Sequence, residues 1–285
     1  MNRTYAAIIL LSFLSIITTC LGIALALNLR EITPWAAAMS AEPQATGRSV
    51  RITVVYNNVP HAPGPATTWG FAAVIETGGG RVLFDTGGNG PILLANLQRL
   101  GIDPVSIDAV VLSHIHGEHT GGLDHFLGRH SKVTVYMPNS FPMPFRRMVE
   151  RRAARDETVS GPRRLFANLH STGEIGKGIK EQSLIIDTAQ GLVVVTGCEH
   201  LGIIEIATAA RGYLNKEIHL LMGGFHLPGL DEGKLRGMVQ ALRKLGIHKV
   251  APSHCTGGAA MALFQNSWGS SFSGGGCGAI IEIPE

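Results

Sequence analysis

Residues 113–122 read Ser113-His114-Ile115-His116-Gly117-Glu118-His119-Thr120-Gly121-Gly122. The stretch follows directly on Val110-Val111-Leu112, an apolar run of the length of a short buried strand. On extended chain, side chains alternate, so His114 and His116 point to the same side. Gly117 lets the chain turn and brings Glu118 and His119 round toward the same point. Three imidazoles and a carboxylate converging so closely in sequence suit zinc or another borderline divalent cation. A His-rich surface loop is the plainer reading. The apolar strand that feeds the cluster and the Gly-Gly pair that leaves it argue against that reading.

Three more His-bearing turns lie downstream, each after a run that reads as a strand. They are Thr196-Gly197-Cys198-Glu199-His200, Gly223-Gly224-Phe225-His226 and Pro252-Ser253-His254-Cys255-Thr256-Gly257. One such His would be read as packing. Four in series, each beside glycine, imply a sheet whose strand ends share one edge. His200 and His254 are therefore expected to be metal ligands. His226 stays open between metal ligand, substrate contact and packing. Cys198 and Cys255 each sit within two residues of a His assigned to metal; they read as buried free thiols, with a disulfide between them left open.

With these turns in view the chain resembles the metallo-β-lactamase superfamily, whose hallmark is His-x-His-x-Asp-His on a strand-to-helix loop. The resemblance runs from about residue 50 to residue 283. Within the superfamily it is similar to the branch named for dihydropterin–ribofuranosylaminobenzene-phosphate synthase. The segments that carry it are Trp69-Gly70-Phe71, Leu83-Phe84-Asp85-Thr86-Gly87, Val110-Val111-Leu112-Ser113-His114, the two turns ending in His200 and at Gly257, and Gly223-Gly224-Phe225-His226-Leu227.

The resemblance implies an α/β fold, the αββα sandwich of two packed sheets with outer helices. It implies that His114, His116 and His200 hold one metal and that Glu118, His119 and His254 hold a second. Asp85 matches a position that buttresses a ligand by hydrogen bonding. Two departures stand out. Glu118 occupies the place of the family's Asp, and its extra methylene moves the carboxylate by about a bond length, large against a metal–oxygen distance of about 2.0–2.2 Å. The second metal is then weakened, shifted or absent. The bridging Asp of many members has no counterpart, since Gly223, Gly224 and Phe225 fill that strand end. The implied cofactor is Zn2+, one or two ions, with Mn2+ or Fe as alternatives. The implied activity is hydrolysis of a small anionic molecule by metal-activated water, with Glu118 orienting that water or shuttling a proton. An iron-dependent oxidoreductase and a non-catalytic metal-binding protein are the competing expectations.

Outward from the motifs, strands are expected at residues 50–56, 71–76, 81–84, 108–112, 132–136, 183–188, 192–196, 218–222, 248–251 and 279–283. Helices are expected at 91–100, 203–214 and 232–245. Residues 141–178 show no period and read as an inserted flap or cap. Within it Arg147, Arg151 and Arg155 have the spacing of one helical face and form a candidate anion-binding stripe, set against a solvated helix face.

Residues 5–27 are uncharged and nearly continuously apolar, and as a helix would span about 34 Å, enough for a bilayer. The expectation is an N-terminal signal-anchor or transmembrane helix over residues 1–29, a linker over 30–49 and a catalytic domain over 50–285. Arg3 and the terminal amine favour a cytoplasmic N-terminus while Arg30 and Arg48 pull the other way, and the expectation is a domain on the outer face of the membrane. The chain has 285 residues and a formal net charge of +3, too mild for a nucleic-acid partner, and no nucleic-acid-binding motif appears. The expected partners are a small-molecule substrate and, through the N-terminal helix, a membrane.

Overall fold

A computed structural model describes residues 49–284. The anchor and all but the end of the linker lie outside the described residues. Among the described residues no helix is long and apolar enough to cross a membrane.

Two sheets face each other. The first contains β1 (Val50–Asn57), β2 (Phe71–Thr77), β3 (Gly80–Phe84), β4 (Ala109–Val111), β5 (Thr134–Pro138), β6 (Arg155–Val159) and β13 (Ile280–Ile283), in the order β13-β1-β2-β3-β4-β5-β6. The second contains β7 (Arg163–Phe166), β8 (Leu169–Ser171), β9 (Leu184–Thr188), β10 (Gly191–Thr196), β11 (Ile218–Gly224) and β12 (Lys249–Ser253), in the order β12-β11-β10-β9-β8-β7. Early hairpins give antiparallel pairs, β1 with β2 and β2 with β3. The strands that alternate with helices are parallel, β3-β4-β5 in one sheet and β10-β11-β12 in the other. Leu192-Val193-Val194-Val195 of β10 is buried on both faces, which is why it reads as a continuous apolar run without alternation.

Three apolar layers hold the fold. Ile52, Val54, Phe71, Phe84 and Val111 of the first sheet meet Leu184, Ile186, Val193, Val195 and Met222 of the second. The outer face of the first sheet is covered by helices α1 (Gly90–Arg99), α3 (Leu123–Arg129) and α4 (Met143–Arg151), packed on Val74, Leu83, Val110 and Val135. The outer face of the second is covered by α5 (Ile203–Leu214), α6 (Glu232–Lys244) and α7 (Gly258–Trp268), packed on Ile185, Val194, Leu221 and Val250. A short helix, α2 (Gly117–Thr120), sits at the strand ends. This is the expected αββα sandwich. Each fully buried aliphatic or aromatic side chain contributes about 1.5–3 kcal/mol. Helix starts follow the expected caps: Asn89 accepts from the Ile92 N–H ahead of Pro91, and Asp231 accepts from the Lys234 N–H.

Residues 141–178 are not an irregular flap. They supply α4, the edge strand β6 of the first sheet, and β7 and β8 of the second, of which β7 is the edge. The arginine stripe is a correction. Helix α4 ends at Arg151, Ala153 takes a left-handed φ of 59°, and the Ala154 N–H reaches back to Val149 O. Arg155 then opens β6 opposite Thr134 and pairs with Glu157 at 2.6 Å. Arg147 and Arg151 are exposed on the helix, and Arg155 shares no helical face with them.

Candidate metal centre

Parallel β3-β4 and β10-β11-β12 point their carboxyl ends to one edge, and the loops there carry every His-bearing turn. Asp85 follows β3, Ser113 and His114 follow β4, and Cys198, Glu199 and His200 follow β10. His226 follows β11, and His254 follows β12. The backbone at these ends is bent sharply. Among the described residues seven non-glycine positions have positive φ, and four are Asp85, Glu199, His226 and His254. Such residues cost of order 1–3 kcal/mol each, and they persist where surrounding packing fixes them.

The rings of His114, His116 and His200 pack mutually, with centroids 4.7–4.9 Å apart. One ligand atom from each lies within 4.8 Å of the others. His119 stands 4.2 Å from His114 and 5.0 Å from His254, centroid to centroid, and His226 lies 4.5 Å from His200. So the structure brings together five expected ligands, with exposed His226 at the rim. Glu118 is the exception. It belongs to none of the ligand groupings among the described residues, and its Oε1 is 3.9 Å from His116 Nδ1.

Hydrogen bonds fix the tautomers. Ser113 Oγ donates to Asp85 Oδ2 at 2.7 Å, so its 2.9 Å bond to His114 Nδ1 is one in which the ring donates. His119 Nδ1 donates to the same Asp85 Oδ2 at 2.7 Å. His254 Nδ1 donates to Asn58 Oδ1 at 2.8 Å, and His200 Nδ1 faces Glu181 Oε2 at 3.4 Å. All four rings are thus held by Nδ1, which leaves the Nε2 lone pairs for the site.

The Nε2 atoms of His114 and His254 are buried with no hydrogen-bond partner. An orphaned buried acceptor is costly, and a divalent cation would satisfy it, so the donor set fits a metal. Burial, followed by the neighbouring imidazoles, pushes the His254 pKa down to about 3 and that of His114 lower still, so both rings are neutral and ready to ligate at pH 7.

Several functional side chains were not singled out from the sequence. Glu181, wholly buried, accepts from the backbone N–H of Glu199 at 3.0 Å and of Leu201 at 3.1 Å, and so pins the loop that carries His200. Glu199 takes a bond from Ser183 Oγ, while its other oxygen is buried without a partner. Burial, and then the Glu181 charge, push the Glu199 carboxyl well above the usual carboxylate range. The available signal was Glu181-Gln182-Ser183, three polar residues immediately before an apolar strand. Asn58 opens the loop after β1. Cys198 and Cys255 are free thiols, as expected, and both are buried inside the site. Trp69 is 53% exposed, yet its ring lies 4.7 Å from that of His254.

Comparison with known proteins agrees with this geometry. A family profile described as "Metallo-beta-lactamase superfamily" matches residues 70–211. The chain is 29% identical over 249 residues to 7,8-dihydropterin-6-methyl-4-(beta-D-ribofuranosyl)-aminobenzene-5'-phosphate synthase of Methanocaldococcus jannaschii, covering 71% of this chain and 84% of that protein. A solved metal-dependent hydrolase of the beta-lactamase superfamily superposes with a TM-score of 0.70 at 25% identity, covering 83% of this chain and 100% of that one. The metallo-beta-lactamase fold protein YhfI from Bacillus subtilis shares the fold, with a TM-score of 0.59 at 15% identity, 83% of this chain and 100% of that one being covered. Strand ends, imidazole cluster and profile agree: the chain belongs to the metallo-β-lactamase superfamily, and it is homologous to the dihydropterin–ribofuranosylaminobenzene-phosphate synthase branch.

Proposed function

We propose that this protein is a metal-dependent hydrolase acting on a small anionic molecule. The observation that carries the reading is the convergence of His114, His116 and His200 on one point, with the His114 Nε2 buried and unbonded. These three residues would hold a divalent cation, zinc by the chemistry of the donor set. Such a cation, when bound, supplies Lewis acidity: it brings the pKa of a water from about 15.7 toward about 7 and polarises the oxygen under attack.

The rest of the work falls to the chain itself. Asp85 and Ser113 hold the His114 and His119 rings in the ligating tautomer, and Glu181 holds the loop of His200. Glu118, half-buried beside His116 and free of the ligand groupings, serves as the general acid or base. Trp69 offers an exposed ring on which a planar part of the substrate can lie. His226, exposed at the rim, can donate a hydrogen bond to an anionic oxygen. The apolar run at residues 5–27 would tether this activity to a membrane, with the domain on its outer face.

A second reading is favoured by the named relative, which is a synthase. The same centre would then activate an acceptor other than water.

The test is metal analysis of the purified protein, followed by a screen of phosphoesters, lactones and thioesters with the metal found. His116→Ala should lose bound metal and activity together. Full activity in a metal-free His116→Ala protein would refute the reading.

A further inference from the structure

Residues 143–164 hold seven arginines against three carboxylates, Glu150, Asp156 and Glu157. The surplus of four positive charges exceeds the +3 of the whole chain, so the remaining residues taken together are slightly acidic. The fold gathers this charge along one edge of the sandwich. Strands β6 and β7 are edge strands of the two sheets, joined through Ser160-Gly161-Pro162. Helix α4 lies against β6, with Arg146 Nη1 3.6 Å from Asp156 Oδ2. Met143, Arg147 and Arg151 stand four residues apart on α4, so they form one row, and all three are exposed. Met143 is 56% exposed, one of four large apolar side chains so open among the described residues. Arg147 and Arg151 join none of the ion pairs among the described residues, whereas Arg146 and Arg152 are matched by Asp156 and Asp124. Arg155, just beyond the helix, shares Glu157 with Arg163.

We propose that this edge is a docking surface for anionic phospholipid headgroups. Arg147, Arg151 and Arg155 meet the phosphates, and Met143 enters the apolar side of the interface. A guanidinium matches phosphate oxygens in a two-pronged fork and is less strongly hydrated than an ammonium. Its aliphatic stem lies along apolar surface while the charged end stays at headgroup level. A methionine in a row with arginines suits a lipid surface, where apolar and cationic groups are both satisfied at one boundary.

A nucleic acid is the other large polyanion such charge could meet, and the side chains argue against it. Single strands are held by aromatic rings on which bases stack. The rings of this edge are turned inward: Phe141 is buried, Phe145 and Phe166 pack on the apolar layers, and the Arg163 guanidinium covers the Tyr136 ring at 5.9 Å. An exposed methionine gains nothing against a phosphate backbone. The sequence also carries the uncharged apolar run of residues 5–27, which suits a bilayer and no polynucleotide. The docking surface makes no use of the metal centre. It adds to a tether at residues 5–27 a second contact, made by the domain itself.

The test is arginine labelling with phenylglyoxal, read residue by residue by mass spectrometry, on full-length protein mixed with vesicles. The vesicles are phosphatidylcholine alone or phosphatidylcholine with phosphatidylglycerol. Arg147, Arg151 and Arg155 should be protected by the phosphatidylglycerol vesicles only, and the protection should fade as salt is raised. Exposed Arg236 and Arg243 of α6 should label equally in both. Each arginine near an anionic surface is worth about fivefold in affinity, so Arg147→Gln combined with Arg151→Gln should cut the preference for those vesicles roughly 30-fold in sedimentation. Equal protection in both vesicle types, or protection that spares these three arginines, would overturn the proposal. So would stronger protection of the same arginines by RNA or DNA at matched salt, which would make the edge a nucleic-acid surface. None of these readouts involves metal or turnover, so failure of the hydrolase reading and failure of the lipid surface are told apart.

Discussion

Asp85 Oδ2 lies 2.7 Å from His119 Nδ1, and both side chains are wholly buried. The same oxygen receives Ser113 Oγ, and Asp85 Oδ1 receives the Ser113 N–H. An amide cannot accept on both sides. In Asp85→Asn, one atom must become NH2, and facing His119 Nδ1 it forces the proton onto Nε2, the atom that should ligate. Asp85→Asn should weaken metal binding by about 10–100-fold, measured by competition with a chelating dye. Unchanged affinity would show that His119 does not bind through Nε2.

Gly197 lies directly above this pair. A Cβ there would stand 2.7 Å from Ser113 Cβ and 3.2 Å from Asp85 Oδ2. Neither neighbour can retreat, because both are held by short bonds in a closed interior. Gly197→Ala should therefore cost about 1–3 kcal/mol by overpacking and displace His114 through Ser113. The measurement is the denaturation midpoint of the metal-free protein together with metal stoichiometry. An alanine variant of wild-type stability would mean that the loop moves freely.

Glu181 makes a separable prediction. Its two oxygens accept the N–H groups of Glu199 and Leu201, and Oε2 also faces His200. Glu181→Gln turns one acceptor into a donor that meets a backbone N–H. The cost should be about 1–3 kcal/mol for the unmet buried groups. Metal affinity should also fall, because the His200 loop loses its anchor. If only stability drops and the metal titration is unchanged, Glu181 supports the fold alone.

Much of this was legible in the sequence because the signals are local. The apolar runs ending in Gly and His mark strands entering turns, and four such turns place their imidazoles on one sheet edge. What escaped was non-local. Glu181 reaches His200 because β9 and β10 are an antiparallel hairpin, which sets the start of one strand beside the end of the other. Asn58 reaches His254 across 196 residues of chain. Neither pairing leaves a periodic mark. Arg155 was misplaced for the opposite reason: helical spacing continued in the letters after Ala153 had turned the backbone out of the helix. Glu118 matched its motif by position, while its side chain stands clear of the groupings that the motif suggests.

Trp69 should act on substrate and leave the metal alone. Its ring packs on His254, with half of its surface open to solvent. Trp69→Ala should leave metal stoichiometry intact and raise KM for substrates with a planar ring by roughly tenfold, the equivalent of about 1.4 kcal/mol of lost stacking and burial. Equal KM for planar and non-planar substrates in wild type and variant would remove Trp69 from the substrate site.

The metal-free protein should lose stability as pH falls from about 6.5. An unfolded chain protonates its imidazoles near 6.5. In the fold, burial and then the charges of neighbouring imidazoles hold the His254 pKa down to about 3, and burial holds that of His114 lower still. Between these values the unfolded state binds more protons, so stability rises with pH by up to about 1.4 kcal/mol per pH unit for each such ring. Glu199 works against this. Its carboxyl is raised by burial and by Glu181, so across the same range the folded state keeps a proton that the unfolded state releases. Two strongly depressed imidazoles against one raised carboxyl leave a positive slope. Urea midpoints of chelator-treated protein at pH 7 and pH 5 should show the loss, and His254→Gln should flatten it. Glu199→Gln, which removes the opposing group, should steepen it. A midpoint that does not move between pH 7 and pH 5 in the wild type would mean that these rings remain open to water in the metal-free state.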